Sequence, residues 1–161
     1  MAMHTVMALS LDLDDTLWPI WPTIERAELC LHEFLLLHAP KTAERFPIPG
    51  MRHLREHVAQ EHPELAHDFT AQRRISLSHA FRLTGESQGL VDPAFEAFFA
   101  ARNDVTLYQD CLPALEHLAA KLPIIALTNG NADLQLIGVA RFIIESISAK
   151  CIGCAKPETP K

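Results

Sequence analysis

Near its amino terminus the chain runs Ala8-Leu9-Ser10-Leu11-Asp12-Leu13-Asp14-Asp15-Thr16-Leu17, an apolar run that breaks into two carboxylates spaced by one residue and then a hydroxyl. If the run is a buried strand, its period of two sends Asp12 and Asp14 the same way, out of the strand's carboxyl end. In open α/β sheets that end is where ligands bind. Two carboxylates placed there can divide labour, one as nucleophile and metal ligand, the other as proton donor and acceptor. A plain strand leading into an acidic turn would read the same way, because Asp and Thr are ordinary turn residues.

Two later segments bear on that choice. Pro123-Ile124-Ile125-Ala126-Leu127 is a second short apolar run, and it ends in Thr128-Asn129-Gly130 ahead of a helical stretch. A hydroxyl and backbone N–H groups just past a strand make an oxyanion site. Ala155-Lys156-Pro157-Glu158 then sets a lysine before a proline, which favours extended backbone at the lysine. A lysine held so can offset phosphate charge as a compact cation.

The series D-x-D-D-T, L-T-N-G and K-P, in that order, resembles the haloacid dehalogenase-like hydrolases, most of them magnesium-dependent phosphatases. The resemblance implies that Asp12 is a nucleophile forming an aspartyl-phosphate. It makes Asp14 the general acid and base, with a main-chain carbonyl that reaches the metal, so Asp12 and Asp14 are the expected ligands of Mg²⁺. Thr128 and Asn129 would hold the phosphoryl oxygens, and Lys156 would steady nucleophile and phosphate. Phosphoryl transfer needs those parts: an in-line nucleophile, cations on the phosphoryl oxygens and a donor for the leaving oxygen. Dehalogenases of the family share the nucleophile but lack an acid two residues later, so Asp14 favours the phosphatase branch.

The family also carries a fourth motif, a pair of acidic residues after another strand, which completes the Mg²⁺ shell. Here Lys161 follows Lys156 by five positions, and Glu158 is the only acid between them. The chain is therefore expected to be the first two-thirds of such an enzyme. The Asp12 strand would then have an unpaired edge on one side, a template for pairing with another chain. A non-catalytic fragment, and a phosphomutase that keeps its phosphorylated intermediate, stand as alternatives.

The expected fold is α/β: a Rossmann-like parallel-sheet core, incomplete at its carboxyl end, with an inserted helical cap. Residues 1–18 and 107–161 form the core and 19–106 the cap. The first strand is expected over Thr5 to Asp12. Thr23 to His38 reads as a helix with Ile24, Ala27, Leu31, Phe34 and Leu35 on one face, Pro22 near its start and Pro40 past its end. A break at Phe46 to Gly50 precedes helical patterns over Met51 to Gln60, Pro63 to Leu83, Pro93 to Arg102 and Leu112 to Lys121. Ala132 to Val139 reads as helix and Phe142 to Ser148 as a third strand.

More than a hundred residues separate Asp12 from Thr128, and fewer than thirty separate Thr128 from Lys156. On the family pattern the first gap holds a cap that excludes water and selects the substrate, which implies a small phosphorylated metabolite. D-L-D-D-T-L, H-P-E-L-A-H-D-F-T with Arg73-Arg74 after it, and I-I-A-L-T-N-G-N-A-D-L look like the bacterial phosphatases of flavin metabolism, which act on FMN and on a phosphorylated ribitylaminouracil. Arg73 or Arg74 would meet an anionic end of the substrate, or lie solvated on a helix. Trp18 and Trp21 would wall the leaving-group pocket, or pack the hinge between cap and core.

A net charge of −6 gives no reason to invoke nucleic acid or an anionic membrane. No signal peptide or membrane-length apolar stretch is legible, so the cytoplasm is expected. Cys151 and Cys154 form a C-x-x-C that reads as reduced thiols more readily than as half a zinc site or a redox pair. His53, His57 and Glu61 share a helix face, a spacing that suits a metal but equally a solvated surface.

Overall fold

A computed structural model describes residues 6–157, so Thr5, the expected start of the first strand, and Glu158 lie outside the described residues. The described residues form two compact units, 6–20 with 105–157, and 21–104.

The first unit is mixed α/β. Three parallel strands, β1 (Leu9–Leu11), β2 (Ile124–Thr128) and β3 (Glu145–Ser148), lie in the order β1-β2-β3. Leu9 pairs with Ile124 and Leu11 with Ala126, while Thr128 pairs with Ser148, so the carboxyl ends of all three strands line up. Helix α6 (Cys111–Ala119) precedes β2, and the short helices α7 (Leu134–Ile137) and α8 (Ala149–Ile152) flank β3. The core gathers Leu13, Trp18, Leu115, Ile124, Ala126, Val139 and Phe142. On β2 burial alternates, with Ile124, Ala126 and Thr128 buried and Ile125 and Leu127 half-buried.

β1 is shorter and wetter than its apolar run suggests. It stops at Leu11 rather than Asp12, and Ser10 is exposed between half-buried Leu9 and Leu11. The cause is its place at the sheet edge: among the described residues it pairs with β2 alone, so Ser10 and the exposed Val6, Met7 and Ala8 meet no second layer.

The second unit is all-helical: α1 (Ile20–His38), α2 (Pro40–Arg45), α3 (Ile48–Glu61), α4 (Phe69–Thr84) and α5 (Val91–Asn103). Its core joins Leu31, Leu35, Leu77, Phe81 and Phe98, and full burial of such side chains contributes about 1.5–3 kcal/mol each. Glu28 also sits on the buried face of α1, among Thr23, Ala27, Leu31 and Leu35.

Several boundaries differ from expectation for local reasons. Pro22 lies inside the first turn of α1, where its missing N–H costs nothing. Pro40 lies past the end of α1 as expected and also opens α2, while the expected break at Phe46 to Gly50 shrinks as α3 starts at Ile48. The helical pattern over Pro63 to Leu83 divides into a 3₁₀ turn at Pro63–Leu65 and α4. Asp68 makes the division by accepting the Ala71 N–H at 2.9 Å, an N-cap bond. Gly85, with φ of 69°, ends α4 in the left-handed conformation that glycine alone adopts without cost. Ala132 to Val139 yields only α7, because the Asp133 carboxylate accepts the N–H groups of Gln135 and Leu136 and starts the helix late. A 3₁₀ turn at Ala140–Phe142 likewise delays β3 to Glu145.

Candidate active site

The parallel register places Asp12, one residue past β1, beside Leu127 near the end of β2. Lys156 ties the two together. Its ammonium donates to the Leu127 carbonyl at 2.6 Å and lies 3.0 Å from Asp12 Oδ1. The same Asp12 oxygen accepts the Leu13 N–H at 2.9 Å, which fixes the carboxylate's rotation. Both side chains remain partly exposed, so the pair is a solvent-screened, accessible charge couple rather than a buried bridge.

After Asp12 the chain turns sharply. The Thr16 and Leu17 N–H groups return to the Leu13 carbonyl, and the Asp15 N–H to the Trp18 carbonyl. Asp15 has φ of 58°, a left-handed conformation that Asp tolerates better than most residues, and its carboxylate accepts the Ile20 N–H at 2.9 Å. Trp18 does not wall a pocket. It is fully buried in the core of the α/β unit, and its indole N–H donates to Asp14 Oδ1 at 2.9 Å. Trp21 belongs to the helical unit and is 67% exposed. The W at 18 thus orients the second carboxylate, a role that four-residue spacing alone does not reveal.

Thr128 closes β2 almost entirely buried, and its Oγ1 accepts the Gly130 N–H at 2.9 Å. Asn129 engages the backbone of Lys156 with its side chain. Its side-chain carbonyl accepts the Lys156 N–H at 2.7 Å, and its amide donates to the Lys156 carbonyl at 3.3 Å. Both ends of the amide therefore hold the backbone of the lysine. The structure thus brings Asp12, Asn129 and Lys156 into one bonded group, with Thr128 beside it in the chain and Asp14 two residues past Asp12.

Hard oxygen donors suit Mg²⁺, which is commonly held by one or two carboxylates plus waters and substrate phosphate. Asp12 Oδ2 carries no partner among the described residues and fits such a role. No group of three or more His, Cys, Asp or Glu among the described residues is arranged to hold a metal. His53 pairs with Glu56 and His57 with Glu61 on an exposed helix face. The Ser148 hydroxyl donates to Cys151 Sγ at 3.2 Å, and this bond holds the exposed thiol below its usual pKa. No helix among the described residues is long and apolar enough to cross a membrane.

Comparison with known proteins agrees with this architecture. No family model matches the chain. A 2-haloacid dehalogenase structure from Pseudomonas syringae pv. Tomato DC3000 is 34% identical with a TM-score of 0.88, over 96% of this chain and 68% of that one. The chain belongs to the haloacid dehalogenase-like hydrolases. It is also 31% identical over 156 residues to the 5-amino-6-(5-phospho-D-ribitylamino)uracil phosphatase YigB of Escherichia coli (strain K12), covering 94% of this chain and 65% of that protein. The chain thus spans about two-thirds of the length of the curated relative it matches. YfnB from Bacillus subtilis, solved bound to magnesium, shares the fold at 16% identity with a TM-score of 0.60 over 94% of this chain and 69% of that one.

Proposed function

We propose that this chain carries the nucleophile and phosphate site of a phosphatase acting on a small phosphomonoester. The observation that supports this reading most is the Lys156–Asp12 contact at 3.0 Å, made next to Thr128 and Asn129 at the carboxyl ends of parallel strands. A carboxylate nucleophile is repelled by a phosphate dianion unless cations offset both charges. The Lys156 ammonium does so from a position fixed by the Leu127 carbonyl.

In this reading Asp12 attacks phosphorus, the P–O bond to the leaving group breaks, and an aspartyl-phosphate forms. Asp14, oriented by the Trp18 indole, gives its proton to the leaving oxygen and then takes one from the water that cleaves the intermediate. The Thr128 hydroxyl, which accepts from Gly130, keeps its own proton to donate to a phosphoryl oxygen. Asp12, with the Asp14 carbonyl, would hold Mg²⁺, which supplies charge neutralisation on the phosphoryl oxygens. The likeness to YigB supports a phosphorylated ribitylaminouracil as the substrate class, and the motif resemblance to flavin-metabolism phosphatases extends the candidates to FMN. The enzyme would work in the cytoplasm.

The name of the Pseudomonas syringae relative supports a second reading, in which Asp12 displaces halide from a 2-haloacid. Asp14 favours the phosphatase, because halide departure needs no protonation. The test incubates the chain with p-nitrophenyl phosphate and FMN, with Mg²⁺ and with EDTA, and separately with 2-chloropropionate. Magnesium-dependent phosphate release that Asp12→Asn abolishes is the expected result. Chloride release without phosphatase activity would establish the second reading instead. Folded protein that turns over neither substrate would identify a non-catalytic portion of such an enzyme.

A further inference from the structure

We propose that the all-helical unit binds a single small monovalent anion of halide size against Arg73. Arg73 lies on α4 with only 8% of its surface exposed, and its guanidinium sits 3.4 Å over the centre of the Phe98 ring. Phe98 seals one face of the cation and offers no counter-charge. No hydrogen-bond acceptor or ion-pair partner among the described residues meets that guanidinium. Its neighbour Arg74 is handled in the ordinary way, paired with Asp92 and Glu96.

The acid nearest in effect is Glu28, and it is already engaged. Glu28 Oε2 accepts Arg52 Nε at 2.7 Å and lies 2.5 Å from Arg52 Nη2. Arg55 adds a like charge on the other side of the balance. Burial first, then Arg55, pull the Arg73 pKa down to about 9, which leaves it a cation at neutral pH. His32 contributes a buried Nδ1 that also has no partner.

Glu28, His32, Arg52 and Arg73 line one cavity of about 10 Å³, walled by Leu31 and Met51. That is room for about one water-sized occupant. A water would satisfy hydrogen bonds but leave a buried cation unneutralised, which is costly. A monovalent anion supplies both the acceptor and the charge, while the Glu28 carboxylate on the same wall discriminates against a dianion. The site lies wholly within residues 21–104 and does not depend on the phosphatase reading.

The test uses the full chain. Crystals soaked in sodium bromide are examined by anomalous scattering, and thermal unfolding is followed in sodium chloride and in sodium gluconate at equal ionic strength. Expected are a bromide peak within hydrogen-bond reach of the Arg73 guanidinium and a Tm about 2 °C or more higher in chloride. Arg73→Met should abolish the difference between the salts. A bromide peak with equal Tm in both salts would mean an adventitious ion only and would overturn the proposal. Absence of a peak together with equal Tm would overturn it in favour of ordered water. The wild-type comparison needs no variant, so the test stands even if Arg73→Met fails to fold.

Discussion

Asn129→Ala is the perturbation that most directly separates what a T-N-G motif suggests from what this residue does. The side chain makes two hydrogen bonds, both to the Lys156 backbone, at 2.7 and 3.3 Å. A net hydrogen bond contributes roughly 0.5–1.5 kcal/mol, and the longer bond belongs at the weak end, so their joint loss costs about 1.5 kcal/mol. The cost falls on the local segment, since α8 ends at Ile152 and the other tether is the ammonium itself, bound to the Leu127 carbonyl and Asp12.

Native-state hydrogen exchange reads that quantity without requiring turnover. Because Pro157 follows, the Lys156 amide is the last exchangeable backbone hydrogen of the described chain. At 1.4 kcal/mol per factor of ten, Asn129→Ala should speed its exchange about tenfold while leaving core amides of β2 unchanged. Asn129→Asp retains the 2.7 Å acceptor and should keep most of the protection. It also sets a second carboxylate near Asp12 and should therefore weaken any phosphate binding. If the Lys156 amide exchanged at the same rate in wild type and Asn129→Ala, the clamp would carry no energy and the reasoning would fail.

Two further outcomes follow from other parts of the molecule. Trp18→Phe keeps most of the buried ring but deletes the 2.9 Å bond to Asp14, and should cost about 2 kcal/mol in urea unfolding; a loss below roughly 0.5 kcal/mol would show that the indole N–H does not matter. The Ser148 bond lowers the Cys151 pKa, so more thiolate exists at a given pH in wild type than without it. Ser148→Ala should slow alkylation of Cys151 by iodoacetamide at pH 7.5 and move the rate profile to higher pH, and coincident profiles would refute the effect.

What the sequence reveals of the fold follows how local each cause is. The β2 run and the long α1 pattern are legible because apolar spacing over a few residues decides them. The ends of elements are not, since Asp68 and Asp133 set them by choosing which N–H groups to accept. Likewise the shortness of β1 depends on what lies across its outer edge, which no residue of the run encodes. Arg73 shows the same limit in the helical unit. Beside Arg74 in sequence the two look alike, yet one helix position apart is a rotation of about 100°. That rotation is enough to bury one against Phe98 and leave the other paired with Asp92.

The site obeys the same logic and sharpens it. Asp12, Thr128 and Lys156 can be picked out because each stands at a strand end or before a proline, places that sequence marks by itself. The task of Asn129 cannot, because its partner is a backbone segment 27 residues away, and the amide could equally have pointed at a ligand. Once that bond is made, the Asn129 and Lys156 motifs are no longer two independent contacts to a phosphate. The clamp on the Lys156 backbone and the Leu127 carbonyl on its ammonium together hold that ammonium 3.0 Å from Asp12, so Asn129 acts on the nucleophile through the lysine. A substitution at Asn129 should therefore resemble a weakened Lys156 more than a lost phosphate ligand. Double-mutant comparison of Asn129→Ala with Lys156→Ala would express that as strong non-additivity.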